Sequence, residues 1–254
     1  MNIRYLFSLL ALLFSVSSLQ AADIYQPFGL ASLNDTSLDQ QTELTIEALE
    51  QAGFTVAGRY SPVDDANIIV VTSPELQEIA AMTPRGGYGA GQRVSVSLRD
   101  GKTEVAFINP VYIQYAYRLG GDLQNTYDQL TAALGQEDFF GAEKKLTADK
   151  LKKYHYMIGM QRFDDPSELG TFENHADAVA AVEAGLAKEG DALSQVYRID
   201  VPGKDQTVFG VAMKATNDTD SEVDIDGAHQ MSIVDFEGHS EAAYFPYEVL
   251  VNGK

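Results

Sequence analysis

The chain has 254 residues, no cysteine, no tryptophan, and 18 Lys and Arg against 37 Asp and Glu, a formal net charge of −19. Without thiols it can form no disulfide, thiolate metal centre or covalent c-type haem, and a field this negative repels nucleic acid and anionic lipid surfaces. A hydrophobic content of 45 % with 13 Tyr and 12 Phe fits a folded chain with one large core or two modest ones, its acidity serving solubility.

Arg4, an apolar run over 6–16 and a polar stretch ending in Ala21-Ala22 predict a secretory signal peptide over 1–21. The run is too short to span a bilayer as a mature anchor, and there is no cysteine to carry a lipid. The expectation is an exported chain, periplasmic or secreted, with no stable membrane insertion after cleavage.

A first strand is expected over 24–33. Ser37 with Gln40 reads as a capping box for a helix over 38–52, whose Leu38, Thr42, Thr45, Ile46 and Leu49 share one arc. A strand over 54–60, an apolar run over 68–71, and a short helix from Pro74 to Ala81 behind Ser73 follow. A glycine-rich loop over 84–91 then delivers the chain into its most legible stretch. Two alternating runs flank Asp100-Gly101, a dipeptide suited to the positive φ angles of a two-residue hairpin turn. Zipping outward puts Val96 opposite Val105 and Val94 opposite Phe107. These four share one face with Leu98 and Thr103, while Arg93, Ser95, Ser97, Arg99 and Glu104 take the other.

Asn109-Pro110 ends the hairpin and opens a tyrosine-rich helical segment over 111–119. A second amphipathic helix is expected over 122–134, and a short one near Thr147. Residues 154–163 alternate like a strand, Asp164-Asp165-Pro166 breaks it, and Asn174 caps a helix over 175–188. Strands over 193–201 and 207–214 bracket Pro202-Gly203, and a second hairpin is expected around Glu237-Gly238. That last segment aligns with the first hairpin at a constant offset, carrying Val94, Val96, Val105 and Phe107 onto Met231, Ile233, Ala242 and Tyr244. The same offset carries Leu49 onto Leu186 and Gly53 onto Gly190, which suggests an internal duplication. The alternative is two unrelated lobes with generic hairpins. The resulting expectation is an α+β fold of two lobes, each an antiparallel-rich sheet packed with helices: 22–120, a helical connector over 121–153, and 154–254.

The first lobe resembles the domain of unknown function 302 family, in ALEQAGFTV from Ala48, IIVVTSPEL from Ile68, QRVSVSL from Gln92 and INPVYI from Ile108. The likeness covers about 24–119, and FGAEKKLTADKLKKYHYMIGM resembles the connector of longer, exported relatives. It implies a compact α+β domain with an antiparallel-rich sheet and no established activity, and it transfers no functional residue.

Individual motifs point to little chemistry. The glycines of Arg85-Gly86-Gly87-Tyr88-Gly89-Ala90-Gly91 follow a helix and precede a strand, the reverse of a phosphate loop, so a pocket-lining or plain connecting loop fits better. Asp218, Asp220, Glu222, Asp224 and Asp226 form an acidic ladder without the spacing of a calcium loop. His155, Met157 and Met160 are a copper-like set that a strand would split between two faces. No nucleophile elbow, Ser-x-x-Lys pair or His-Glu-x-x-His helix occurs. No catalytic, metal or cofactor residue is therefore assigned. Arg85, Tyr88, Arg93, Tyr112 and Tyr115 are the candidate contacts for a ligand or partner. The reading favoured is a non-enzymatic module that binds a small ligand or a periplasmic protein, either as a monomer or a homodimer. A hydrolase or isomerase using an unrecognised carboxylate or Tyr-Arg set, and a structural protein responsive to divalent cations, are the alternatives.

Overall fold

The computed structural model describes residues 23–254 except 143, 145, 156, 189–191, 218–222 and 236–237, so the expected signal peptide lies outside the described residues. The fold is α+β, with its strands in antiparallel sheets. Its centre is the hairpin of β5 (Gln92–Arg99) and β6 (Lys102–Ile108), paired as the alternation dictates: Val94 opposite Phe107, Val96 opposite Val105. Asp100 and Gly101 both take positive φ at its turn. The preceding strands β1 (Ile24–Tyr25), β2 (Phe28–Asn34), β3 (Thr55–Val63) and β4 (Ala66–Thr72) and the later β7 (Asp138–Phe140) complete the picture. Six of these strands form one sheet in the order β3-β4-β5-β6-β2-β7, while β1 pairs with β8 (Leu146–Thr147).

Helix α1 (Leu38–Gln51) is capped by the Ser37 hydroxyl, which accepts from the Gln40 amide, and α2 (Pro74–Ala81) by Ser73 in the same way. With α4 (Gln124–Leu134), they cover one face of the large sheet. Ile46, Leu49, Leu76 and Leu130 close there over Val71, Val94, Val96 and Phe107. The residues expected as a connector are therefore part of the first layer: Leu123 and Leu130 are core, and β7 extends the sheet from β2. Helix α3 (Pro110–Ala116), capped by Asn109, and α5 (Ala148–Leu151) close one end against Phe28 and Ile108.

A second sheet, β9 (Leu193–Asp200), β10 (Gln206–Met213) and β11 (Tyr247–Asn252), has the order β11-β10-β9. It lies face to face with the large sheet across a shared core of Ile68, Val70, Tyr197, Ile199, Val208 and Phe245. β4 is buried on both faces, which explains its unbroken apolar run. Helix α6 (His175–Leu186), capped by Asn174, covers the outer face of the small sheet through Ala178 and Val179 on Phe209, Val211 and Val251. The layers thus run helix, sheet, sheet, helix. Among the described residues, packed side chains of both sheets fill most of the space between the two expected lobes.

Two expectations fail by secondary structure. The described residues of 154–163 lie in turns and coil, not in a strand. The expected second hairpin is instead helix α7 (Gly227–Val234) followed by a 3-10 turn (Ala242–Tyr244), with Glu237 outside the described residues. The cause is local. Asp226 accepts from the His229 amide as an N-cap, and Met231 is buried while Ile233, the neighbour assigned to the same strand face, is half exposed. The aligned segments thus differ in conformation. Among the described α-helices and strands, the two halves share an order, helix, strand, strand, helix, strand, with the middle strand central, in α1-β3-β4-α2-β5 and in α6-β9-β10-α7-β11.

Candidate functional site

The polar face of the central hairpin points toward the second half of the chain and is buried there. Three charged side chains find partners between residues 235 and 248. Arg99 Nη2 lies 2.5 Å from Asp235 Oδ1. Glu104, only 2 % exposed, accepts from the Ser240 amide at 2.6 Å and holds His239 Nδ1 at 2.7 Å. Arg93 donates to the carbonyls of Tyr244 (2.9 Å) and Pro246 (3.3 Å) and faces Glu248 at 3.7 Å. This row straps the C-terminal segment onto the hairpin, and its Arg93 end forms the wall of a pocket.

That pocket holds about 230 Å³ and opens at the edge of the sheet-on-sheet core. Its aromatic side is Tyr88, Tyr117, Phe163, Tyr244 and Tyr247; its charged side is Arg93, Asp164, Asp165 and Glu248. Tyr88 and Tyr117 are 5.8 Å apart between ring centroids and Tyr117 and Phe163 6.3 Å, each pair tilted, so the rings make a concave wall. Glu248 also accepts the Tyr197 hydroxyl hydrogen bond from the buried side. Burial, reinforced by Glu248, raises the phenol pKa values of Tyr88, Tyr117 and Tyr197, so all three stay protonated at neutral pH. Arg93 remains charged despite its burial because Glu248 offsets the loss of solvent.

The rim is positioned by strained backbone. Arg85 and Arg118 both have positive φ, 61° and 53°. From those conformations both reach Asp164: Arg118 Nε at 2.9 Å, Arg85 Nη2 at 3.9 Å. Asp164-Asp165-Pro166, which ends the alternating stretch, is thereby pinned as the pocket's outer wall. The glycine loop behind it is tightly packed. A Cβ at Gly86 would stand 2.0 Å from the Ala80 carbonyl oxygen, and one at Gly87 would stand 2.5 Å from Leu250 Cδ1. The Gly87 amide donates to Gln206 Oε1 at 3.1 Å and the Gly86 amide to Thr83 O at 3.0 Å, so neither is available to an anion.

Of the five candidate contacts, Tyr88 and Arg93 line the pocket, and Arg85 stands behind it through Asp164. Tyr112 is one ring removed, edge-on to Phe163 at 6.1 Å and buried in the α3 end of the core. Tyr115 lies elsewhere: it packs on Tyr25 at 5.0 Å and under the Lys152 ammonium, so it does not belong with the others. Tyr117 shares the tyrosine-rich segment of Tyr112 and Tyr115, and Asp164 the Asp-Asp-Pro break, but Tyr244, Tyr247 and Glu248 do not stand out as contacts in the sequence. The density of aromatic and acidic residues in Tyr244-Phe245-Pro246-Tyr247-Glu248 is the one local signal that marks them.

Other candidate centres are used up structurally. His155 Nδ1 lies 2.6 Å from the Met160 carbonyl and its Nε2 accepts from Arg162, while Met157 and Met160 are exposed. Of the acidic ladder, Asp218, Asp220 and Glu222 lie outside the described residues, Asp224 is exposed and Asp226 is a helix cap. Among the described residues no group of three His, Asp or Glu could hold a metal, and no helix is long and apolar enough to cross a membrane. Among the described residues the one carboxyl raised to a pKa of about 6 is Glu241, through burial and the nearby Asp235, and it does not line the pocket. The chain matches no family model, no curated protein and no solved structure.

Proposed function

We propose that this chain is an exported, non-enzymatic binding module that takes a small polar ligand in the pocket walled by Tyr88, Tyr117, Arg93 and Glu248. The observation supporting this reading is the convergence there of two strained arginine backbones, an aromatic wall and paired charges from both halves of the chain. Pockets that mix aromatic walls with a few fixed polar groups are the usual form of small-molecule sites. The signal-peptide pattern of residues 1–21 supports export, to the periplasm or beyond. A carboxylate enzyme has less support, since the pKa-raised Glu241 stands outside the pocket and Glu248 inside it is engaged by Tyr197 and Arg93.

Native mass spectrometry of the protein isolated from the compartment to which it is exported tests the reading. The expected result is a discrete added mass that is released on denaturation and is absent from Tyr117→Ala. A bare mass, together with no change in melting temperature across a library of small polar metabolites, would refute it.

A further inference from the structure

The occupant's charge can be read from the pocket itself, an inference that rests on the binding site just proposed. Of the side chains lining the pocket, Arg93 is the single cation, against the carboxylates of Asp164, Asp165 and Glu248. Arg93 is already directed onto two backbone carbonyls and Glu248. Arg85 and Arg118 lie behind Asp164 and converge on one of its oxygens. An incoming anion would therefore meet carboxylates and an occupied guanidinium. A cation would meet ring faces and carboxylates: Glu248, shared with Arg93 and Tyr197, Asp165, and Asp164, whose Oδ1 is buried with no hydrogen-bond partner.

We infer that the pocket takes a small organic cation, an alkylammonium group seated against the Tyr88–Tyr117–Phe163 wall with Glu248 and Asp165 as counter-ions. Aromatic faces attract such cations through their quadrupoles, most strongly when water is excluded. The field at the rings has the matching sign: at Tyr117 the influence of Glu248 exceeds the opposing one of Arg93. The volume of about 230 Å³ equals roughly seven or eight waters, enough for a trimethylammonium group with a short tail. A bare metal ion suits the site poorly, because hard cations need several converging oxygens and the wall is largely rings.

The test is titration of the purified protein with choline, with its neutral isostere 3,3-dimethylbutan-1-ol and with the anion 3,3-dimethylbutanoate, followed by amide chemical shifts. Choline is expected to give saturable shifts at Tyr88, Tyr117 and Glu248, with the neutral isostere about tenfold weaker and the anion weaker still. Glu248→Gln should weaken choline about tenfold. Because that change also loosens the Arg93 strap, Asp165→Asn serves as a second variant, with an expected loss of about threefold. Saturable shifts at these amides that are equal or stronger with the neutral or anionic probe would overturn the cation while leaving the binding site standing. No shift there with any probe at millimolar concentration would overturn the cation, whereas the binding site falls only with the bare mass and unchanged melting described above.

Discussion

Gly86 shows how little freedom the glycine loop has. Its φ is ordinary, so the requirement is for space: a methyl group would collide with the Ala80 carbonyl, which belongs to the backbone and cannot swing aside. Gly86→Ala is expected to cost about 3 kcal/mol, at the upper end for overpacking, as measured by urea unfolding. Asp226 makes the opposite kind of contribution, a polar one. Its carboxylate accepts from the amides of Ala215 and His229, and although burial alone would raise its pKa, these hydrogen bonds hold it below the usual carboxylate range. Asp226→Ala should lose about 1–2 kcal/mol while Asp226→Asn retains most of the cap, a contrast read from paired denaturation curves. Glu241 supplies the pH dependence. Burial and then Asp235 raise its pKa to about 6, above its unfolded value of 4.5, so the folded state binds its proton more tightly. Its contribution to stability is therefore fully present below about 4.5 and is lost as pH rises through 6. Glu241→Gln should raise the melting temperature at pH 7 and leave it nearly unchanged at pH 4.5; an equal shift at both pH values would contradict this account.

Among the elements, the central hairpin was the most readable because turn chemistry and alternation agree on a single register, and a slip by one residue would reverse both faces. The destination of its polar face was not readable. A row of Arg, Ser and Glu on a strand ordinarily meets water, and here it meets a segment more than a hundred residues away. The same long range hid Glu248, Tyr244 and Tyr247 from the site, while Arg85, Tyr88 and Arg93 stood out because they cluster around one loop. The short helix after Asp226 reads as a strand in the sequence because Ser232-Ile233-Val234 alone is β-like, whereas the cap and Met231 decide for helix. The strap itself predicts an asymmetry. Glu104→Ala removes the acceptor of the buried Ser240 amide and the partner of His239 together, and should cost about 2–4 kcal/mol. His239→Ala leaves Glu104 its Ser240 bond and should cost clearly less. Equal losses in chemical denaturation would show that the histidine carries the contact.

At the scale of the whole molecule, the two sheets are halves of one core. β4 turns Ile68 and Val70 toward the small sheet, and both are wholly buried there. A fragment ending at residue 188 would present that face to water, together with the uncompensated Arg93, Arg99 and Glu104. It is expected to be soluble only as a dye-binding, poorly dispersed species or as aggregates; a sharp amide spectrum from it would show that the first half folds alone. The α+β class was legible from helix caps and strand alternation taken one element at a time. The layering was not, because it depends on which faces meet, and that is a property of the assembled chain.

The strap also sets an order of events. The ribosome releases the chain from its N-terminus, so β5 and β6 emerge well before residues 235–248 exist. Until then the hairpin has its apolar face covered by α1 and α2 and its charged face open. Completion waits for residues 235–248, and contacts this distant in sequence are closed slowly. A nascent chain stalled before residue 235 would therefore carry the whole hairpin yet leave it vulnerable to proteases.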